Sequence, residues 1–152
     1  MTDATAADEL TAFMHASMPF TRLLGAIAIA ASPDEVRTTI AWDETLCTAG
    51  GALHGGLLMS LGDATGGWCA FLNLPPGATT STIESSTHFL RPVMAGRVDA
   101  VARPVHVGRS VVVIDTELRD EAGRLVARIT QTQAVRRAPA TQSGDAEGAV
   151  RR

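Results

Sequence analysis

Residues 53–74 form the longest apolar stretch of the chain, and Pro75-Pro76-Gly77 ends it. The stretch predicts a central helix that is apolar on every side, and such a helix must be covered on every side. Glycine in a helix interior costs about 1 kcal/mol relative to alanine. Gly62, Gly66 and Gly67 therefore predict that another backbone packs closely against this helix.

The remaining apolar and polar positions predict two shorter helical segments and six strands. Leu10, Phe13 and Met14 recur at helical spacing, which indicates a helix over residues 4–17, and residues 20–24 add one turn closed by Gly25. The predicted strands cover residues 26–31, 35–42, 80–90, 97–106, 110–119 and 124–136. Their order predicts an α+β fold in which one antiparallel sheet curves around the central helix.

The chain of 152 residues is long enough for one domain with a sizeable core. We assign that domain to residues 1–137. Residues 138–152 contain almost no large apolar side chains to bury, so they predict a disordered tail. The stretch at 53–74 approaches membrane-spanning length, but Asp63 lies at its centre and no basic residues flank it, which favours a helix of a soluble core.

Charge and cysteine content narrow the class of protein. The net charge of −3 provides no basic surface for nucleic acid. Cys47 and Cys69 do not make a disulfide framework and fit a reducing compartment, and the first residues lack the basic and apolar regions of a signal peptide. We therefore expect a cytoplasmic protein that binds neither nucleic acid nor membrane. His15, His88 and His106 show no spacing typical of metal ligands, so no metal or other cofactor is expected.

Asp63 is the chemically unusual residue of the central helix. A carboxylate that is buried without a partner is costly, and aspartate is a mediocre helix former. Asp63 could be a structural carboxylate that is hydrogen-bonded to a neighbouring strand. The cost of placing it there favours a functional role, in which a carboxylate in apolar surroundings acts as a general base for water or as a nucleophile.

His54-Gly55-Gly56, followed by Leu61-Gly62-Asp63, resembles the motif of hotdog-fold acyl-CoA thioesterases of the phenylacetate-pathway and 4-hydroxybenzoyl-CoA type. Three later segments are similar to landmarks of the same family, namely residues 82–84, 88–92 and 107–110. The resemblance covers residues 20–135. It implies a hotdog fold and the hydrolysis of an acyl-CoA thioester to the free acid and CoA.

The resemblance also implies roles for single residues. The backbone N–H of Gly55, at the helix start, polarises the thioester carbonyl, and Asp63 activates water or attacks. His54 holds the helix start, and Thr82 lies where related enzymes keep a hydroxyl that orients water. Without the resemblance, a strand threonine such as Thr82 would reflect β-propensity alone.

The residues that would bind the substrate include two departures from the family pattern. Thr48 stands where related enzymes carry Asn or Gln in contact with the carboxylate or the carbonyl, and Gly67 stands where some relatives hold the water with Ser or Thr. Trp68 and Phe71 are candidates for lining an acyl pocket, although such residues are as often plain core packing. Three arginines are candidates for binding the CoA phosphates, namely Arg91, Arg97 and Arg109.

Gly55 and Asp63 are eight residues apart, which is about 12 Å along a helix. Residues this far apart on one helix cannot both contact one carbonyl. A two-fold dimer that places Gly55 near Asp63 of the partner subunit solves this, and sites of the family are built in this way. We expect a homodimer that pairs further into a tetramer.

The alternative function is a non-catalytic acyl-CoA binding protein on the same fold, which the departures at Thr48 and Gly67 favour. The presence of Asp63 argues against it. A hotdog hydratase is a more remote alternative, because the Asp and His pairing typical of those enzymes is not visible in the sequence.

Overall fold

The computed structural model describes residues 3–137, and the predicted tail at residues 138–152 lies outside the described residues. The helices are α1 (Asp3–Ser17), α2 (Pro19–Leu23) and α3 (Gly55–Leu72), with a short 3₁₀ helix at Glu44–Leu46. The strands are β1 (Ile27–Ala31), β2 (Val36–Ala41), β3 (Ala78–Phe89), β4 (Arg97–Val107), β5 (Val111–Asp120) and β6 (Leu125–Arg137). Each predicted helix and strand is present, with nearly the expected ends.

The six strands form one antiparallel sheet in the order β1-β2-β4-β5-β6-β3. After β2 the chain runs through α3 to the opposite edge of the sheet, where β3 pairs with β6, and it then returns to β4 beside β2. Within residues 3–137, β3 pairs with β6 alone, so its outer edge carries backbone groups that no strand of the same chain covers. Such an edge is a template for pairing with another chain.

Helix α3 lies across the sheet and contacts strands β2 to β6. His54 caps its start, because Nδ1 of the ring accepts a hydrogen bond from the Gly56 N–H at 2.9 Å. Leu57, Leu58 and Leu61 are buried in the core, and full burial of one leucine side chain contributes about 1.5–3 kcal/mol. No helix between residues 3 and 137 combines the length and the apolar character needed to cross a membrane.

The glycines of α3 show how closely the helix approaches the sheet. A Cβ atom on Gly62 would overlap Cδ1 of Ile129, and one on Gly66 would overlap the side-chain amide of Gln131. The expected close neighbour is therefore present at these two positions, but it consists of β6 side chains and not of backbone as predicted. At Gly67 the chain itself supplies no such neighbour, because a Cβ atom there would meet no atom within 4 Å outside its own part of the helix.

One side of α3 is not covered by the chain itself. Met59 and Phe71 are 42% and 51% exposed, and Gly56 and Asp63 are exposed as well. Together with Gly67, these residues recur every three or four positions and define a surface that we call the open stripe. The predicted fold, one antiparallel sheet around α3, is confirmed, but the sheet covers only the face that packs against it, so the helix is not covered on every side within one chain. The expectation that Asp63 is buried is wrong within one chain for the same reason.

Strand β3 continues this uncovered surface. Residues 82–86 in its middle are all exposed, including Ile83 at 60%. The pairing register with β6 shifts between Thr82 and Glu84, so Ile83 is the extra residue of a β-bulge. The sequence pattern did not predict this bulge.

Helix α1 packs against β1 and buries Met14, which is 1% exposed. The Ala28 N–H donates to Thr11 Oγ1 at 3.0 Å, and His15 Nε2 lies 2.8 Å from the Ala26 carbonyl oxygen. Since a carbonyl oxygen can only accept, His15 carries a proton on Nε2. These contacts hold α1 where it forms one wall of a cavity beside the open stripe.

Candidate active site

Asp63 lies on the open stripe with one of its two carboxylate oxygens held by the sheet. Its Oδ1 atom accepts a hydrogen bond from Gln131 Nε2 at 3.2 Å and from the Thr82 hydroxyl at 3.4 Å. Among residues 3–137, no donor lies within hydrogen-bond distance of Oδ2. The carboxylate is therefore oriented through Oδ1 and keeps Oδ2 free to take a proton or to bond to carbon.

Two buried glutamines of β6 support this carboxylate, and neither was predicted from the sequence. Gln131 donates to Asp63, and Gln133 donates to the Thr82 hydroxyl at 2.8 Å. The signal that could have found them is the alternation of Ile129, Gln131 and Gln133 along one strand, all three of which are buried. An amide on the inward face of a strand needs a hydrogen-bond partner, and here the partners are two site residues.

Gly66 gives Gln131 the room to make its contact. A Cβ atom at position 66 would lie 2.8 Å from Cδ of Gln131, where the carboxamide now packs. The same carboxamide also places Nε2 3.5 Å from the backbone oxygen of Asp63. Because Gly66 has no side chain, the Gln131 carboxamide can take the position from which it orients the Asp63 carboxylate.

A cavity of about 370 Å³, which we call the α1 cavity, opens beside Asp63 between α1, α3 and β3. Phe13 and Met14 from α1 and Trp68 and Phe71 from α3 give it largely apolar walls. The ring centres of Phe13 and Trp68 are 6.0 Å apart. Among the described residues that line the cavity, Asp63 alone is charged. Its volume lies at the lower end of the range for ligand pockets, about 300–1,000 Å³, and suits a small uncharged group.

A second cavity of about 430 Å³ also reaches Asp63. Phe20 of α2, Met59 of α3 and Ser85 of β3 line it. Met18, between α1 and α2, borders both cavities, as Asp63 does. The carboxylate therefore stands where two cavities meet, and a ligand larger than either one could extend past it.

The start of α3 offers one free backbone donor. The Gly56 N–H is taken by the His54 ring, and the Leu57 and Leu58 N–H groups donate to the His54 carbonyl at 3.0 and 3.2 Å. Within the described part of the chain, the Gly55 N–H has no acceptor. A free N–H at the positive end of a helix is suited to bind an oxygen that carries negative charge.

Gly55 borders a separate cavity of about 340 Å³ that is also lined by Phe89 and Arg91. A Cβ atom on Gly55 would lie 3.1 Å from Cζ of Phe89. Arg91 is anchored beside it, because its Nη1 donates to the Leu125 carbonyl at 2.7 Å. Along the continuous helix α3, this place is about 12 Å from Asp63.

Three of the predicted substrate-binding residues lie elsewhere. Thr48 is exposed in the turn before α3, and neither cavity at Asp63 includes it. Arg97 forms ion pairs with Asp99 and Glu121, and Arg109 is exposed in the turn between β4 and β5. Within one chain the other predicted site residues form two groups: Asp63, Thr82, Gly67 and Trp68 at the α1 cavity, and His54, Gly55 and Arg91 at the helix start.

Neither cysteine is in a state suited to attack a carbonyl at neutral pH. Burial raises the pKa of the Cys69 thiol to about 11, so the thiol stays protonated. Burial and the charges of Asp43 and Glu44 also raise the pKa of Cys47. Between residues 3 and 137, no three His, Cys, Asp or Glu side chains are grouped so that they could hold a metal ion.

The comparisons of this chain with known proteins all point to esterases and thioesterases. Residues 50–127 match the sequence model of the Thioesterase superfamily. A Haemophilus influenzae protein that bears the name of an esterase is 32% identical over 109 residues, which cover 70% of this chain and 79% of that protein. The proofreading thioesterase EntH of Klebsiella pneumoniae is 29% identical over 119 residues, which cover 78% of this chain and 81% of that protein. The crystal structure of a Haemophilus influenzae thioesterase superposes with a TM-score of 0.78 and 28% identity, covering 85% of this chain and 89% of that chain.

Proposed function

We propose that the chain, which belongs to the thioesterase superfamily and has the hotdog fold of its relatives, hydrolyses an acyl-CoA thioester to the free acid and CoA. The observation that carries the proposal is the hydrogen bonding of the two Asp63 carboxylate oxygens. Its Oδ1 atom is held by Gln131 and Thr82, while Oδ2 is free beside an apolar cavity. A carboxylate that acts on a bound carbonyl needs this combination of a fixed orientation and a free oxygen.

In the proposed reaction the acyl group occupies the α1 cavity, with its carbonyl carbon beside Oδ2 of Asp63. Asp63 takes a proton from a water molecule as the water oxygen bonds to that carbon, or the carboxylate attacks the carbon directly; both routes use Oδ2. The negative charge that develops on the carbonyl oxygen is stabilised by the N–H of Gly55 of the partner subunit. The carbon–sulfur bond then breaks, and the CoA sulfur receives the proton that water gives up. On the direct route the acyl–Asp63 anhydride formed first is then hydrolysed by water, which releases the acid and regenerates the carboxylate. In both routes water supplies the oxygen gained by the acid.

A second copy of the chain completes this site. Gly55 and Asp63 are about 12 Å apart on one helix, so they cannot meet at one carbonyl within a chain. The open stripe of α3 and the unpaired edge of β3 form one uncovered surface, which includes the exposed side chains of Met59 and Ile83. Antiparallel pairing of two β3 edges about a two-fold axis would cover this surface and carry each helix start toward the carboxylate of the other chain.

Arg91 is the best placed of the three predicted arginines to bind the CoA phosphates. It lines the cavity at Gly55, where the proposed dimer would bring the thioester. Arg97 is already engaged by Asp99 and Glu121. A guanidinium group at the helix start can pair with a phosphate through two hydrogen bonds.

Thiol release from a panel of straight-chain, aryl and phenylacetyl CoA esters tests the activity. The wild-type protein should hydrolyse at least one ester, and Asp63→Asn should abolish most of that hydrolysis. A protein that binds these esters without releasing thiol would instead be the non-catalytic acyl-CoA binding protein.

Complementation between two inactive chains tests whether the site is shared between subunits. One chain carries Asp63→Asn, and the other carries Gly55→Val, whose side chain would crowd the Phe89 ring and block the free N–H. In a mixed dimer one site has both lesions and the other has neither. Random mixing makes half of the dimers mixed, so about a quarter of the wild-type activity should return.

Each variant mixed only with itself is the matched control and should stay inactive. Tagged co-purification verifies that mixed dimers form, and circular dichroism verifies that both chains fold. Verified mixed dimers without activity would mean that each site lies within one chain. Sedimentation of the wild-type protein distinguishes the dimer from the predicted tetramer.

A further inference from the structure

Gly67 differs from the other interior glycines of α3 because packing gives no reason for it. Gly62 and Gly66 stand against Ile129 and Gln131, which occupy the space of their missing side chains. A Cβ atom on Gly67 would meet no atom within 4 Å outside its own part of the helix. Alanine also has a higher helix propensity than glycine. Packing within the chain and helix stability would therefore both accept a side chain at position 67.

The open space at Gly67 belongs to the α1 cavity, whose lining includes Gly67, Asp63 and Phe71. Positions 63 and 67 are about 6 Å apart along the helix axis, on the same face. Helical side chains lean toward the N-terminus of their helix, so a side chain at position 67 would project toward the carboxylate. With the acyl group placed as in the proposed reaction, that side chain would take space next to the reacting carbonyl.

We propose that the missing side chain of Gly67 sets the width of the acyl groups that the enzyme accepts. The proposal rests on the hydrolase function and on the use of the α1 cavity by the acyl group. Phe13 of α1 and Trp68 of α3 supply flat apolar walls. The space at Gly67 leaves the cavity wide next to the carbonyl. The cavity then admits acyl groups that branch or carry a ring at that point, in addition to straight chains.

Two variants and two shapes of substrate test the proposal. Gly67→Ala fills the space with a methyl group, and Gly67→Ser fills it with a group of similar size that can also hold a water molecule. The kcat/KM values are measured for n-butyryl-CoA, which is narrow, and for isobutyryl-CoA and benzoyl-CoA, which are wide next to the carbonyl. In both variants the ratio of kcat/KM for each wide ester to kcat/KM for n-butyryl-CoA should fall at least about tenfold.

Stability and assembly are measured on the same samples. Both variants should melt at a higher temperature than the wild-type protein, since they replace a helical glycine in open space. They should also sediment as the wild-type protein does. A lower melting temperature or a changed oligomeric state would mean that position 67 is packed against protein, and would overturn the proposal.

The kinetic outcomes separate this proposal from the hydrolase function. A wild-type protein that hydrolyses neither these three esters nor any other ester of the wider panel refutes the hydrolase function itself. A wild-type protein that hydrolyses n-butyryl-CoA but neither wide ester, or variants that lose equally on all three, refutes the role of Gly67 alone. A gain with Gly67→Ser on all three esters would assign position 67 to water binding and would also overturn the proposal.

Discussion

The two long faces of α3 carry glycine for opposite reasons. On the face against the sheet, Gly62 and Gly66 are required because Ile129 and Gln131 fill the space of their side chains. On the open stripe, Gly67 has free space in front of it. Glycine in an apolar helix therefore indicates close packing only where a neighbouring side chain occupies the space of its missing Cβ atom.

The two faces also differ in the property that their residues determine. The covered face holds Leu61 and Cys69, both fully buried, and their burial stabilises the fold. The open stripe holds Asp63 and Met59, which the rest of the chain leaves exposed. Substitutions on the covered face should therefore change mainly the free energy of unfolding, and those on the open stripe mainly activity and assembly.

Asp63→Asn, on the open stripe, should have the largest effect. The variant keeps an oxygen where Oδ1 accepts from Gln131 and Thr82, but it replaces the free Oδ2 with an amide group that cannot take a proton. Turnover of the best acyl-CoA should fall at least about a hundredfold, with no loss in the free energy of unfolding. Thiol release and urea unfolding measure the two quantities. Hydrolysis near the wild-type rate would remove Asp63 from the reaction.

The pair Gly62→Ala and Gly66→Ala tests the covered face. Each adds a methyl group to filled space, so each should lower the free energy of unfolding by about 1–3 kcal/mol. Gly66→Ala should also lower turnover, because its methyl group displaces the Gln131 amide from Asp63. Gly62→Ala presses on Ile129 and is the matched control, with turnover of the folded protein largely retained. Equal turnover in the two variants would mean that Gln131 does not orient the carboxylate.

Thr82→Val should have a moderate effect at the border of the open stripe. It keeps the shape of the side chain and removes the hydroxyl that links Gln133 to Asp63. About a tenfold loss of turnover is expected, which corresponds to one hydrogen bond to a charged group. Thr82→Ser keeps the hydroxyl and should retain most of the activity. If valine and serine variants have the same turnover, position 82 contributes only β-propensity.

Truncation after Arg137 should have the smallest effect. It removes residues 138–152, which have few apolar side chains to bury. The melting temperature, the sedimentation behaviour and the turnover should equal those of the full chain. A change in any of them would show that the removed residues contact one of the faces of α3 or another part of the protein.

Most of the fold could be predicted because its local signals agree with its tertiary structure. Gly25 and Gly77, which follow two of the helices, have φ angles of 69° and 75°, and Ile114 and Leu118 mark the buried face of a strand. The cover of α3 could not be predicted in the same way. Apolar residues recur along a helix in the same way whether the chain's own sheet or a second copy of the chain packs against them. The sequence therefore predicts a helix that is covered on every side, whereas the chain leaves one side of α3 exposed.

The candidate site could be predicted where the resemblance supplied a motif. The resemblance gave Gly55 and Asp63 at the central helix and Thr82 on β3, and the spacing of Gly55 and Asp63 along one helix favoured a shared site. Gln131 reaches Asp63 from 68 residues away in the chain, and Phe13 reaches Trp68 from α1. Contacts between distant segments have no local signature, which is why the supports of the carboxylate and one wall of the cavity were missing from the prediction.

Thr82 and Ser85 are three positions apart in β3, and side chains of a regular strand at that spacing point to opposite faces. In this protein both border cavities that reach Asp63, because the extra residue at Ile83 shifts the alternation. Deleting Ile83 would hardly change the composition of the strand, yet it would turn one of the two hydroxyls away from the carboxylate. The site therefore depends on the number of residues in β3 as well as on their identity. Substitution scanning does not change that number, whereas a series of single-residue deletions in β3 would reveal its effect.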